Sequence, residues 1–198
     1  MKTITFYTAI VILSLVFLYP PVLIAQSTNN SNPKNAVTIV EYGDYQCPAC
    51  KTYHGFLQQL QDEFENKLTV KYYHFPLQTH AYAGLAARAA EAARNQGKFK
   101  EMHNMLFEEQ SAWSNSNARS IIRGFARELE LDMEQFNDDW HAMETYNKVR
   151  EDKEAGKKRQ VRGTPTLYIN ETEIPLPMNY EQLKEYIAKR VERDDDTQ

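Results

Sequence analysis

Two cysteines occur in the 198 residues, and they sit together as Cys47-Pro48-Ala49-Cys50. A strand-like run, Thr38-Ile39-Val40-Glu41-Tyr42, precedes them, and a helical one, Tyr53-His54-Gly55-Phe56-Leu57, follows. A Cys-x-x-Cys pair where a strand turns into a helix suits the making and breaking of one disulfide, and it fixes what the surrounding fold must hold in place.

The position of each sulfur sets its chemistry. With a helix starting near Cys47, the first sulfur meets unpaired backbone N–H groups and the positive end of the helix dipole, which favour thiolate over thiol. Cys47 is therefore the expected nucleophile. Pro48 fits this placement, because a proline in the first turn gives up no intrahelical hydrogen bond. Cys50, nearly one turn along the same face, can attack a mixed disulfide formed at Cys47 and is the expected resolving cysteine. Two plainer readings stand beside this one. A static disulfide is one, although a chain this long can bury a core without a staple. A metal site using Cys47, Cys50 and His54 is the other, but it lacks a visible fourth ligand.

A formal net charge of −4 gives no electrostatic reason to expect a nucleic-acid partner. Residues 4–25 carry no charge and follow the single basic residue Lys2, a pattern expected of an export signal or an N-terminal membrane anchor. Residues 26–35 read as a polar Ser/Asn-rich linker. The folded part is therefore expected outside the cytoplasm, where disulfides persist. Two glycosylation sequons begin at Asn29 and Asn170, but the motif is too short to carry a function.

Beyond the linker the pattern predicts a buried strand over 37–42, a helix over 47–65 and a second strand over 68–75 ended by Pro76. A unit of this length favours a parallel pair with a right-handed crossover. From 79 to 159 no strand signal occurs, and the stretch reads as a helical insertion broken at Asn95-Gln96-Gly97, at 114–117 and near Leu131-Asp132. Gly163-Thr164-Pro165 then leads into short β-type runs joined at Asn170-Glu171, a hairpin whose second turn residue is not the preferred glycine. A final helix is expected over 180–191, with 193–198 as a solvated acidic tail. His74, His80, His103 and His141 show no metal-ligand spacing and read as packing or surface residues.

This order of elements, α/β with a helical insertion between the second strand and Gly-Thr-Pro, resembles the DsbA-like thiol-disulfide oxidoreductases of the thioredoxin superfamily across residues 36–192. The exported or membrane-anchored bacterial branch is the nearest in look, because its members share a start like Glu41-Tyr42-Gly43-Asp44-Tyr45-Gln46-Cys47-Pro48-Ala49-Cys50. The resemblance implies a thioredoxin-like fold and no cofactor beyond the disulfide itself. It implies that Pro165 is a cis-proline whose loop packs against the active pair and binds substrate backbone, with Thr164 touching substrate and thiolate. It also makes Glu41 the buried acid beneath the site, able to relay a proton for Cys50. From the residues alone, Glu41 equally fits a surface carboxylate or a partner of Lys71 in the next strand. His54, about 10 Å from Cys47 along a helix, is expected to support Cys50 or to lie on the surface.

Within that family the two residues between the cysteines tune the potential. Pro48-Ala49 lacks the histidine of the most oxidising members, which points to a milder oxidant. The expected role is a dithiol oxidase that gives its disulfide to newly exported, reduced proteins and is re-oxidised by a quinone-linked membrane partner. The membrane is then met only through the N-terminal segment. Alternatives are a reductase or isomerase kept reduced by a membrane donor, a Cu(I) metallochaperone using Cys47 and Cys50, and a peptide-binding holdase using the Pro165 loop.

Overall fold

The computed structural model describes residues 37–195. The expected signal or anchor over 1–25, the linker over 26–35 and the last three residues of the acidic tail lie outside them. Among the described residues no helix is long and apolar enough to cross a membrane.

Four strands form one mixed sheet in the order β2-β1-β3-β4. β1 (Val37–Gly43) pairs in parallel with β2 (Leu68–His74), and α1 (Pro48–Phe64) makes the crossover between them. β3 (Thr166–Ile169) runs antiparallel to β1 on its other side and turns into β4 (Thr172–Glu173). Asn170 and Glu171 both take left-handed φ values, 45° and 70°, which is the geometry of the tight turn that matches strand twist. The hairpin therefore forms despite a glutamate where glycine costs least.

β1 is central, and none of its residues is exposed, so both of its faces are covered. One face meets α1 and α8 (Tyr180–Asp195), where Val37, Ile39, Leu57, Leu60, Leu167, Ile169, Leu183 and Ile187 close a core. α8 runs on to Asp195, so the first half of the expected tail is a helical extension. The other face carries Tyr42, Phe75 and Tyr168. α7 (Met143–Lys158) lies close against them at Gly156, where an added Cβ would come within 2.7 Å of the Phe75 ring and 3.0 Å of Tyr42.

The stretch between β2 and β3 is helical, as its lack of strand signal predicts. It comprises α2 (Ala83–Arg94), α3 (Phe99–Glu108), α4 (Gln110–Trp113), α5 (Ala118–Glu128), α6 (Met133–His141) and α7. Seven alanines of α2 are buried, and their small side chains let α3, α6 and α7 approach on several sides. Trp113, Trp140, Phe107, Phe136 and Leu106 fill the space around them. One pair of hydrogen bonds ties the insertion to the cysteine loop. Gln110 of α4 donates from Nε2 to the carbonyls of Tyr45 (2.8 Å) and Cys47 (3.0 Å), so the insertion is fastened to the loop that carries the cysteines.

Candidate active site

Cys47 is the N-cap of α1, with extended backbone at φ −80° and ψ 121°, and Pro48 follows as the first helical residue. The cap has no side-chain hydrogen bond to the helix, so the first-turn N–H groups are left to the sulfur. Both cysteines are free thiols. Cys47 retains 8% exposure and Cys50 none, so an incoming sulfur can reach only the first. Ala49, like Pro48, is exposed beside it.

The two thiols are driven apart. A hydrogen bond from the Cys50 side chain holds the Cys47 thiol down to about 5 against an ordinary 9.0, with burial opposing. Backbone N–H groups of Cys50 and Ala49 and the Thr164 side chain add to the lowering. Cys50 moves the other way, pushed far up by burial, by its hydrogen bond to Cys47 and by the charges of Glu41 and Cys47. Near neutral pH the reduced site is one thiolate with a small accessible edge over one sealed thiol.

Thr164-Pro165 is a cis peptide, as the family resemblance implies. The loop sits directly on the cysteines, with the Cys47 thiol donating to the Thr164 carbonyl at 3.4 Å. The Thr164 hydroxyl is also buried and makes no hydrogen bond of ordinary length. A second cis peptide, Leu176-Pro177, lies in the segment between β4 and α8 and had no signal in the sequence.

Glu41 is buried at 2% exposure in the middle of β1, where its register neighbours are Tyr72 and Leu167. Neither surface exposure nor a bond to Lys71 holds. Lys71 is opposite Val40 and points to the other side of the sheet, where it is exposed. With no cation paired to it, Glu41 is pushed up to about 8, first by burial and then by the charge of Cys47. The same buried region holds His54, which excludes the surface position, one of the two expected for it. His54 stacks on Phe107 at 4.7 Å and meets His103 edge-on at 4.9 Å, and burial lowers it to about 4. Glu41 Oε1, His54 Nε2 and Tyr72 Oη have no protein partner. All three residues line one cavity of about 250 Å³, together with His103. A space of that size with several polar walls can hold water.

Around the pair, three polar residues that sequence reasoning missed complete the loop. Asp44 is buried, accepts from the Gln46 and Leu77 N–H groups at 2.7 and 2.8 Å, and lies 2.8 Å from His80 Nδ1. Its own N–H donates to Cys50 Sγ at 3.4 Å. Gln46 accepts from the Tyr82 N–H at 2.8 Å and donates to the Ser114 carbonyl. Gln110 is the third. An Asp followed two residues later by an amide, just before the cysteines, is the only local trace of this network; its partners are tertiary.

The remaining histidines have structural partners. His103 Nδ1 lies 2.8 Å from the Tyr45 hydroxyl, His74 Nε2 lies 2.7 Å from Glu91, and His141 accepts from Arg119. Among the described residues no group of three or more His, Cys, Asp or Glu side chains is placed to hold a metal ion.

The model of the thioredoxin family matches residues 31–189. Among curated relatives, a Na(+)/H(+) antiporter of Salinispora arenicola is 36% identical over 140 residues, which are 70% of this chain and 21% of the antiporter. The chain thus spans about a fifth of the length of such relatives. A probable disulfide bond formation protein D of Bacillus anthracis is 29% identical over 86% of this chain and 82% of its own length. A thioredoxin-like oxidoreductase from Silicibacter pomeroyi superposes with a TM-score of 0.67 at 30% identity, covering 80% of this chain and 88% of that one. The α-DsbA1 of Wolbachia pipientis gives a TM-score of 0.73 over 83% of this chain and 90% of its own, at 18% identity, a likeness of fold alone. A strand-to-helix Cys-Pro-Ala-Cys pair under a cis-proline loop, with a helical insertion above it and a family match across most of its length, makes this chain a member of the thioredoxin family with the DsbA-type fold.

Proposed function

We propose that the chain is a protein thiol-disulfide oxidoreductase that acts as a dithiol oxidase, passing its Cys47–Cys50 disulfide to reduced polypeptides outside the cytoplasm. The observation that carries this is the divergence of the two sulfurs, an accessible Cys47 held at about 5 and a sealed Cys50 pushed far up. A stabilised thiolate stabilises the reduced form, which makes the disulfide form the stronger oxidant. The value lies between those of thioredoxin, about 7, and the strongly oxidising DsbA, about 3.5, which fits a milder oxidant.

The reaction runs in two exchanges. A substrate thiolate attacks Cys47 Sγ, the Cys47–Cys50 bond breaks, and a mixed disulfide forms as Cys50 leaves with the bonding pair. Glu41, protonated at neutral pH, supplies the proton that Cys50 takes, and recovers it from solvent through the polar cavity. The substrate's second thiolate then attacks its own sulfur in the mixed disulfide and expels Cys47 as the favoured thiolate. The substrate has lost two electrons, and the pair holds them as one thiolate and one thiol. Thr164 and Pro165 flank Cys47, where an extended substrate can pair with the loop.

The Bacillus relative named for disulfide formation and the uncharged segment over 4–25 support the extracytoplasmic setting. Re-oxidation then falls to a quinone-linked membrane partner, as the family resemblance implies. The test is a pair of variants. Cys50→Ser is expected to accumulate substrates as mixed disulfides on Cys47, and Cys47→Ser to transfer nothing. Oxidation of a reduced substrate by both variants at the wild-type rate rejects the assigned roles.

A further inference from the structure

We infer that a cavity beside the cysteine loop binds acidic stretches of polypeptide. The inference rests on the oxidoreductase reading only for which polypeptides arrive there. The cavity, of about 630 Å³, is lined on one side by Tyr82 and Leu85 and on the other by Arg119, Arg123 and Arg127. These arginines follow one another at four-residue steps, so α5 presents them along one stripe, beside the side that Ile122, Phe125 and Ala126 bury.

An amphipathic helix often has a solvated charged face, and three features set this one apart. First, like charges one turn apart repel, and helix surfaces ordinarily relieve that with an acid at the next turn. Here no carboxylate lines the cavity, and none of the three arginines forms an ion pair with a described carboxylate. Second, the guanidiniums are gathered at a concave surface on a chain whose net charge is −4. Third, Arg123 Nε is buried with no hydrogen-bond partner. A buried donor without an acceptor is costly unless something else fills the role, and planar guanidinium forks fit carboxylates two bonds at a time.

The place of the cavity argues for polypeptide rather than a small anion. Tyr82, on its wall, donates its backbone N–H to the side chain of Gln46, the residue immediately before Cys47. The same glutamine donates to the carbonyl of Ser114, three residues ahead of Asn117, where the α5 side of the cavity begins. The cavity wall therefore lies within one side chain's reach of the residue before Cys47, near enough for a chain joined to Cys47 to meet it. The apolar rings and methyls of Tyr82 and Leu85 suit the stems of Glu and the backbone between acidic residues. Substrates with Asp or Glu near the reacting cysteine are favoured by this arrangement, through faster encounter and a longer-lived complex.

Two arms test this with the full chain. In the first, a fluorescent cysteine-free peptide carrying four Asp and Glu residues, and a Ser/Asn counterpart, are titrated by anisotropy against wild type and Arg123→Gln/Arg127→Gln. The acidic peptide is expected to bind wild type about fivefold more tightly than the neutral one at low salt, a preference that falls to near one in the variant and in 1 M NaCl. An equal affinity in wild type, or a preference that the double substitution leaves intact, overturns the inference. In the second arm the same flanks surround a reduced cysteine pair, and the ratio of acidic to neutral transfer rates is read. A ratio near one overturns a role in substrate choice. Inorganic phosphate that raises the unfolding temperature of wild type but not of the variant, without any peptide preference, assigns the cavity to a small anion and overturns the polypeptide reading. If no peptide is oxidised yet the acidic one still binds selectively, the oxidase reading fails and the site stands.

Discussion

The reduction potential of the Cys47–Cys50 pair should follow pH with a break that the structure locates. Below about pH 5 both sulfurs of the reduced pair carry protons, so two protons accompany two electrons and the potential falls by about 59 mV per pH unit. Above that point Cys47 is a thiolate, one proton accompanies two electrons, and the slope halves to about 30 mV. At pH 7 a thiol at about 5 instead of 9.0 gains about two units of ionisation free energy, or about 2.7 kcal/mol. For a two-electron couple this is about 59 mV of added oxidising power over the same pair with an unshifted thiol. Glu41 adds a second feature. The Cys47 thiolate, present only in the reduced protein, raises Glu41 towards about 8, so reduction takes up part of an extra proton just below that pH and the slope steepens there. The assay is equilibration against thiol-disulfide buffers from pH 4 to 9, with the reduced fraction counted by alkylation and Cys47 ionisation followed by thiolate absorbance. An unbroken slope of about 59 mV through pH 8, with thiolate absorbance rising only near pH 9, refutes the account of Cys47. Retention of the steepening in Glu41→Gln refutes the account of Glu41.

Glu41 also penalises the fold. Its raised value means that stability is greatest below pH 4.5 and is lost as pH rises through about 8, so Glu41→Gln should stabilise the protein by about 3 kcal/mol at pH 7 and by little at pH 4, read from denaturant midpoints. The same variant should slow disulfide transfer, and a destabilised variant at pH 7 contradicts the reading. Glu91 has the opposite sign. Burial raises it, but hydrogen bonds from His74 and Arg94 outweigh burial and hold it at about 2. Its stability is present above pH 4.5 and lost as pH falls through about 2, so Glu91→Gln should cost about 2–3 kcal/mol at pH 7 and progressively less below pH 4.5. A loss independent of pH would mean that packing alone is at stake. Gly156→Ala should gain about 1 kcal/mol in helix propensity yet lose more than that to the Phe75 ring, for a net loss of about 1–2 kcal/mol in thermal or urea unfolding. A stabilised variant would show that α7 can shift outward without harm.

The parts of this protein written in local sequence were the parts that could be read. Strand, cysteine pair, helix and second strand are contiguous and strongly patterned, and their observed ends, Val37–Gly43, Pro48–Phe64 and Leu68–His74, lie within a residue of the periodic runs. The hairpin was legible from its two-residue spacing, although only coordinates show that Glu171 accepts a left-handed backbone. The contacts that assemble the site span long separations. Cys47 meets Thr164 across 117 residues and Gln110 across 63, and nothing local announces either. The first was reached through the family resemblance and the second was missed. His54 was left between two readings because helix geometry sets its distance from Cys47 but not what packs over it; the ring of Phe107 comes from the insertion. Glu41 was ambiguous for a related reason. A carboxylate in a strand has no assigned face until the register is known, and the pairing of Val40 with Lys71 decided it.

The twofold grip of Gln110 on the carbonyls of Tyr45 and Cys47 bears on how such proteins can be recombined. A helical insertion joined to a host only through its two ends could be exchanged between relatives as a cassette. This one also closes on the loop from the middle of its own length, with a side chain that must offer two amide protons at a fixed spot. A foreign insertion without an amide at that spot would leave two carbonyls of the cysteine loop without their donor, even if it kept partners for Gln46. Exchange by cassette is thus limited by matched polar partners as well as by the length and packing of the graft, and lengthening between α3 and α5 would displace Gln110 and Ser114, both of which hold the loop.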